Sequence, residues 1–210
     1  MKIDLDKLRI DALPEPREPN PAELQSECSQ IRKIMRQTGY TDAFPELYTD
    51  IVTYIARYRL GCQRRGLLLM GGTGCGKSEG LLRLAGILKI EYVTASDILA
   101  VFGTAEYYRM VRQPDFFSGI PAALVIDELG AEPRPYVHYG TRHNVMADVL
   151  AMRYECFKHG GARTIIGTNL NLDELHEAYG DRVESRFWEC FQMATYDGPD
   201  FRKAVNKCRN

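Results

Sequence analysis

Apolar residues recur at helical spacing along the first sixty positions. Asn20 can serve as an N-cap, Pro21 stands at the first helical position, and Glu23 falls where a capping-box acid belongs. Leu24, Cys28, Ile31 and Met35 then mark one face of a helix that Gly39 would stop. A second amphipathic stretch carries Leu47, Ile51, Tyr54, Ile55 and Tyr58 before Gly61. There the period changes. Leu67, Leu68, Leu69 and Met70 are consecutive and end in a glycine turn, which predicts a strand buried on both faces, as in a parallel sheet flanked by helices. Shorter apolar runs follow at Tyr92–Thr94, Ala122–Ile126 and Thr164–Ile166, with helical stretches between them. That alternation predicts an α/β sandwich of three layers around a mainly parallel sheet. Four prolines within Asp11–Pro21 disfavour helix and sheet alike and predict an extended tether. The chain therefore divides into an N-terminal arm, 1–44, and a main domain, 45–210.

Composition changes this picture little. Of 210 residues, 45% are hydrophobic and 26% charged, which excludes a disordered chain. A formal charge of −1 and a pI near 6.4 exclude a surface coated in basic charge for indiscriminate nucleic-acid binding, while leaving room for a local basic groove. The cysteines at 28, 62, 75, 156, 190 and 208 form no C-x-x-C pair and no cluster with histidine, so reduced thiols are expected. The N-terminus lacks an apolar leader core, and no apolar run approaches the roughly 18–20 residues of a membrane span. A cytoplasmic protein without a membrane partner is the expectation.

The chemistry concentrates in four places. Gly71 to Ser78 reads G-x-x-x-x-G-K-S between a buried strand and a helix, the context this phosphate-binding motif requires. Gly71, Gly72, Gly74 and Gly76 would let the backbone turn so that successive N–H groups, those of Thr73 and Cys75 included, face phosphate oxygens. Lys77 would reach the β- and γ-phosphates of ATP, and Ser78 would ligate Mg²⁺. Second, Ala123–Ile126 runs into Asp127 and Glu128. A strand ending so is expected to set a carboxylate beside the phosphate-loop strand, with Asp127 holding Mg²⁺ and Glu128 taking a proton from an attacking water. Third, Thr164–Thr168 ends at Asn169, whose amide either orients that water or closes an Asx turn. Fourth, Arg182 and Arg186 lie one helical turn apart, as an arginine finger or as ordinary surface ion pairs.

Taken in order, Gly66–Ser78, Ile126–Gly130, Thr168–Asn171 and Tyr179–Arg186 resemble the motifs of AAA+ ATPases. The resemblance covers residues 45–200 and is strongest to DnaC-type replicative helicase loaders, with the IstB transposition helpers as close relatives. It implies Lys77 and Ser78 in Walker A, Asp127 and Glu128 in Walker B, Asn169 as sensor 1 and Arg186 as a finger acting on a neighbour's nucleotide. A finger of that kind implies self-association in a ring or filament. Little or no helical lid is expected after Arg186, a departure from the wider family. In a loader, residues 1–40 would dock the hexameric helicase by helix-in-groove capture, although that helix may equally pack on its own domain. Ser96–Arg112 sits where loaders carry an element that meets single-stranded DNA; basic residues beside tyrosines suit that role, and a packed amphipathic helix suits them as well. A transposition helper would share every catalytic residue, and a P-loop small-molecule kinase would lack a use for Glu128, Asn169 and Arg186.

Overall fold

The computed structural model describes residues 17–39, 45–112, 122–160, 162–196 and 200. Most of the proline-rich tether, the boundary near residue 44, and the region after Tyr196 expected to lack a lid, Asp200 apart, lie outside them. Among the described residues two helices come first, α1 (Pro21–Gln37) and α2 (Pro45–Arg59). Asn20 caps α1 as its side chain accepts from the Ala22 amide at 2.9 Å, whereas the Glu23 carboxylate is taken up by Arg17. The apolar face of α1, which would fit a partner's groove, is buried instead: Cys28, Ile31 and Met35 share a core cluster with α2. Of the two sequence readings for this helix, packing on its own domain is the one realised.

Five strands form a wholly parallel sheet in the order β2-β3-β6-β1-β7. They are β1 (Gly66–Gly71), β2 (Glu91–Thr94), β3 (Leu124–Leu129), β6 (Thr164–Thr168) and β7 (Phe191–Tyr196). Period-two alternation gives each strand two apolar faces. Leu67, Leu69, Val125 and Ile165 face the cluster of α1, α2 and α3 (Lys77–Leu88); Leu68, Met70, Ile126 and Ile166 face the cluster formed with α4 (Ala95–Ala100), α5 (Ala105–Arg112), α6 (Val145–Gly160), α7 (Leu172–Tyr179) and α8 (Asp181–Cys190). Three layers follow directly. A separate antiparallel pair, β4 (Tyr136–His138) and β5 (Thr141–His143), stands between β3 and α6.

The second layer is tied to the strand starts by a buried guanidinium. Arg153 of α6 donates to Thr164 Oγ1 at 3.0 Å and to the carbonyls of Val111, Ala122 and Arg163 at 3.1, 2.8 and 3.0 Å. Burial pulls its pKa below the usual guanidinium value, and each of its three nitrogens donates to at least one of these acceptors.

The strand order corrects one expectation. The strand carrying Asp127 does not lie beside the phosphate-loop strand, because β6 stands between them. Both chemistry-bearing strand ends still emerge along the same edge, as the strands are parallel.

Candidate functional site

The glycine-rich loop expected to hold phosphate follows β1 directly, and its backbone shape depends on glycine. Gly71, Gly74 and Gly76 have φ of 141°, 84° and 89°, in the region that side chains rarely enter. Gly74 also packs against the Asp200 carboxylate, where a Cβ would collide. Gly76 leads straight into α3, so the amides of its first turn open toward the loop. Thr73 and Ser78 are exposed on the mouth of this cradle, whereas Cys75 and Lys77 are buried.

The Lys77 ammonium spans the cradle. Its Nζ donates to the carbonyls of Gly71 at 2.7 Å and Gly72 at 2.9 Å, lies 3.4 Å from Cys75 Sγ, and donates to Asn169 Oδ1 at 2.9 Å. The last contact joins positions 92 residues apart. Adjacency of β1 and β6 explains it: Met70 pairs with Thr168, which puts Asn169 opposite the start of the loop. Asn169 is thereby brought onto the buried ammonium of Lys77 in the glycine-rich loop.

Asp127 and Glu128 sit in a β-bulge. Ile126 pairs with Ile166 and Leu129 with Thr168, so two residues of β3 oppose the single residue Gly167. Glu128 takes up the irregularity with φ of 57°, unusual for a side-chain-bearing residue, and is turned out to solvent while Asp127 stays buried. The bulge re-aims both carboxylates. Thr168 Oγ1 closes it by donating to the Leu129 carbonyl at 2.6 Å. Gly167 is required opposite, since a Cβ there would overlap Asp127 Oδ1.

Sequence reasoning missed Tyr92. Its hydroxyl donates to Asp127 Oδ2 at 2.7 Å, while Asp127 Oδ1 accepts from the Glu128 amide at 2.8 Å. Burial, and then the bond to Asp127, push the Tyr92 phenol above its ordinary pKa, so it stays a donor. The parallel register of β2 on β3 places Tyr92 opposite Val125, two residues before Asp127; nothing local in the sequence marks it. If Asp127 holds Mg²⁺ beside a bound ATP, Tyr92→Phe is expected to leave ATP affinity within about twofold but raise the Mg²⁺ concentration needed for half-maximal turnover about tenfold or more, because one anchor of a charged acceptor is worth about 1.5–3 kcal/mol. Magnesium titrations of turnover in the two proteins check this; superimposable curves would remove Tyr92 from the site.

Arg186 stands apart from this group. Its guanidinium lies over the Tyr154 ring, 4.5 Å from the centroid, and 3.9 Å from Glu155 Oε1, both on α6. Arg182 is exposed on α8. In the segment Ser96–Arg112, Tyr107, Met110 and Val111 are buried and Arg109 pairs with Glu106 and Glu91, so most of that amphipathic stretch is packed; Tyr108 stays exposed. Among the described residues no cluster of three metal-ligating side chains occurs, and no helix is long and apolar enough to cross a membrane.

No protein-family model and no curated protein matches this chain. Solved structures do. DnaI is similar over 87% of this chain and 93% of its own, with TM-score 0.56 and 16% identity. Domain III of the Thermotoga maritima replication initiation protein DnaA is similar over 76% of this chain and 66% of its own, with TM-score 0.52 and 18% identity. AMPPCP-bound DnaA from Aquifex aeolicus is similar over 80% of this chain and 51% of its own, with TM-score 0.50 and 15% identity. At such identities the likeness is one of architecture, and by architecture the chain has the P-loop AAA+ fold.

Proposed function

We propose that this chain is an ATP-hydrolysing AAA+ protein that acts as a DnaC-like loader, placing a ring-shaped replicative helicase on single-stranded DNA. The observation that carries the reading is the convergence of Lys77, Asn169, Asp127 and Glu128 on one sheet edge, in a chain sharing its fold with DnaI over most of its length. Glycine conformations and an ammonium among carbonyls suit a polyphosphate. A Mg²⁺ site built from the Ser78 hydroxyl and the Asp127 carboxylate suits that ion, which keeps most of its shell as water and phosphate oxygens. When bound, Mg²⁺ would neutralise charge on the β- and γ-phosphates. Lys77 trades its carbonyl partners for phosphate oxygens, Asn169 orients the attacking water, and Glu128 accepts that water's proton.

Arg186 supports a role between subunits. A cation–π contact at a partly exposed site is worth about 0.5–1 kcal/mol, and a 3.9 Å ion pair at the surface contributes no more. Lifting the side chain off Tyr154 to meet a neighbour's γ-phosphate is therefore cheap. Arg186→Ala is expected to leave ATP binding by isolated monomers intact and to lower turnover of the assembled protein roughly 10³-fold. Titrating ATP into monomer and assembly separately checks this; lost binding in the monomer would place Arg186 in its own site. For helicase docking the arm offers the outward face of α1, where Arg32, Lys33 and Arg36 line a shallow basic depression suited to an acidic partner surface.

ATP turnover measured with single-stranded DNA, duplex DNA and the replicative helicase, alongside the sizes of the mixtures, tests the proposal. A stable helicase complex whose turnover responds to single strands supports it. ATP-dependent filaments on duplex DNA without helicase binding would replace it with a transposition-helper role.

A further inference from the structure

We propose that the β4–β5 hairpin is a single-strand nucleic-acid platform, with Tyr139 stacking on a base and Arg142 holding the neighbouring phosphate. The hairpin turns at Tyr139 and Gly140, with φ of 46° and 78°, the positive pair of a tight two-residue turn. A tyrosine is a costly choice for such a position, where Asn, Asp or Gly is usual. Tyr139 is also 96% exposed, so among the described residues little packing offsets that cost.

The two faces of the hairpin have different jobs. Tyr136, His138 and His143 lie on the inner face, where Phe102 meets their rings at 5.9, 5.3 and 5.1 Å between centroids. Phe102 is itself set edge-on to buried Tyr107 at 5.3 Å, and Gly103 leaves room for the His138 ring. This aromatic packing holds the hairpin on the body of the domain. Register puts Val137 directly opposite Arg142, so both belong to the outer face, and both are exposed. Tyr139 continues that face at the tip, with the His138 ring set edge-on behind it, 4.4 Å between centroids.

Charge selects the occupant. The eleven residues from Pro133 to His143 contain two arginines, two histidines and no acid, in a chain whose formal charge is −1. Apolar, aromatic and guanidinium groups in a row suit a base beside a phosphate. A rigid, upright ring can stack only on a base that is not already stacked in a duplex, which favours a single strand. A flat protein partner would call for a broader apolar patch than one valine and one tyrosine. The inference deepens the loader reading by naming the residues that meet the strand, and it does not depend on the nucleotide site.

Anisotropy of a fluorescent oligothymidylate, titrated with the full chain at several salt concentrations, tests it. Tyr139→Ala should weaken binding roughly tenfold, since stacking on one base accounts for a loss of that order, and Tyr139→Phe should bind within about twofold of wild type. Arg142→Ala should weaken binding and flatten its dependence on salt. Unchanged thermal midpoints in the variants would confirm that the fold is intact, as expected for exposed side chains. Wild-type affinity in Tyr139→Ala, equal losses in the Ala and Phe variants, no binding by the wild type, or equally good competition by duplex DNA would each overturn the proposal. Helicase capture and ATP turnover measured without oligonucleotide report on the loader reading separately.

Discussion

Glu128→Gln is expected to bind ATP as the wild type does and to hydrolyse it at least about 100-fold more slowly, since a positioned general base contributes about 10²–10⁴-fold. The bulge is the reason to expect so clean a separation. Glu128 is exposed and stands outside the cradle of Lys77, Gly71 and Gly72, so its charge adds little to ground-state binding. The amide keeps the shape of the side chain and the backbone conformation at φ 57°, and removes only the ability to accept a proton. Phosphate release and equilibrium nucleotide binding, measured on the same preparation, check both halves. Turnover within about threefold of wild type would assign the base elsewhere.

Lys77→Ala acts one step earlier and should reduce ATP affinity by 100-fold or more. The ammonium is buried, and its donors already face inward on the carbonyls of Gly71 and Gly72 and on Asn169. Its removal leaves those acceptors without a buried cation and leaves bound phosphates without their compensating charge. Charge-assisted hydrogen bonds of this kind are about twice as strong as neutral ones, and losing several together exceeds the roughly 2.7 kcal/mol that a 100-fold change represents. Isothermal titration with ATP checks it. Full affinity in the variant would move the nucleotide away from this loop.

The shape of the glycine-rich loop was legible because its signal is local: glycine at positions that adopt positive φ, then lysine and serine opening a helix. The buried strands were legible for a related reason, since runs such as Leu67–Met70 feed two cores at once. Asp127 and Glu128 could be read as a strand end, but not as a bulge, because a bulge is a property of two strands and depends on which residue lies opposite. The place of β6 between β1 and β3 is likewise a matter of sheet order, which no single segment encodes. It turned an expected neighbour of the phosphate loop into a second neighbour and brought Asn169 onto Lys77.

Other elements escaped notice through weak punctuation. β7 begins at Phe191, directly after α8 ends at Cys190, with no glycine or proline to mark the change from helix to strand. The β4–β5 hairpin carries a Tyr-Gly turn in place of the usual Asn-Gly or Asp-Gly, so it did not read as a hairpin. The second absence bears on the proposed strand platform, since the unusual turn residue is the one that projects from the surface. In α1 the helix itself was predicted correctly, and only tertiary packing decided between a partner's groove and α2.

A structure of the chain with a non-hydrolysable ATP analogue and Mg²⁺ would test the central claim most directly. The account predicts phosphates lying across the amides of 71–78, Lys77 Nζ released from the Gly71 and Gly72 carbonyls onto phosphate oxygens, Asn169 and Glu128 facing the γ-phosphate, and the metal between Ser78 and Asp127. A nucleotide bound elsewhere, or Lys77 still held by its two carbonyls with the analogue present, would contradict it.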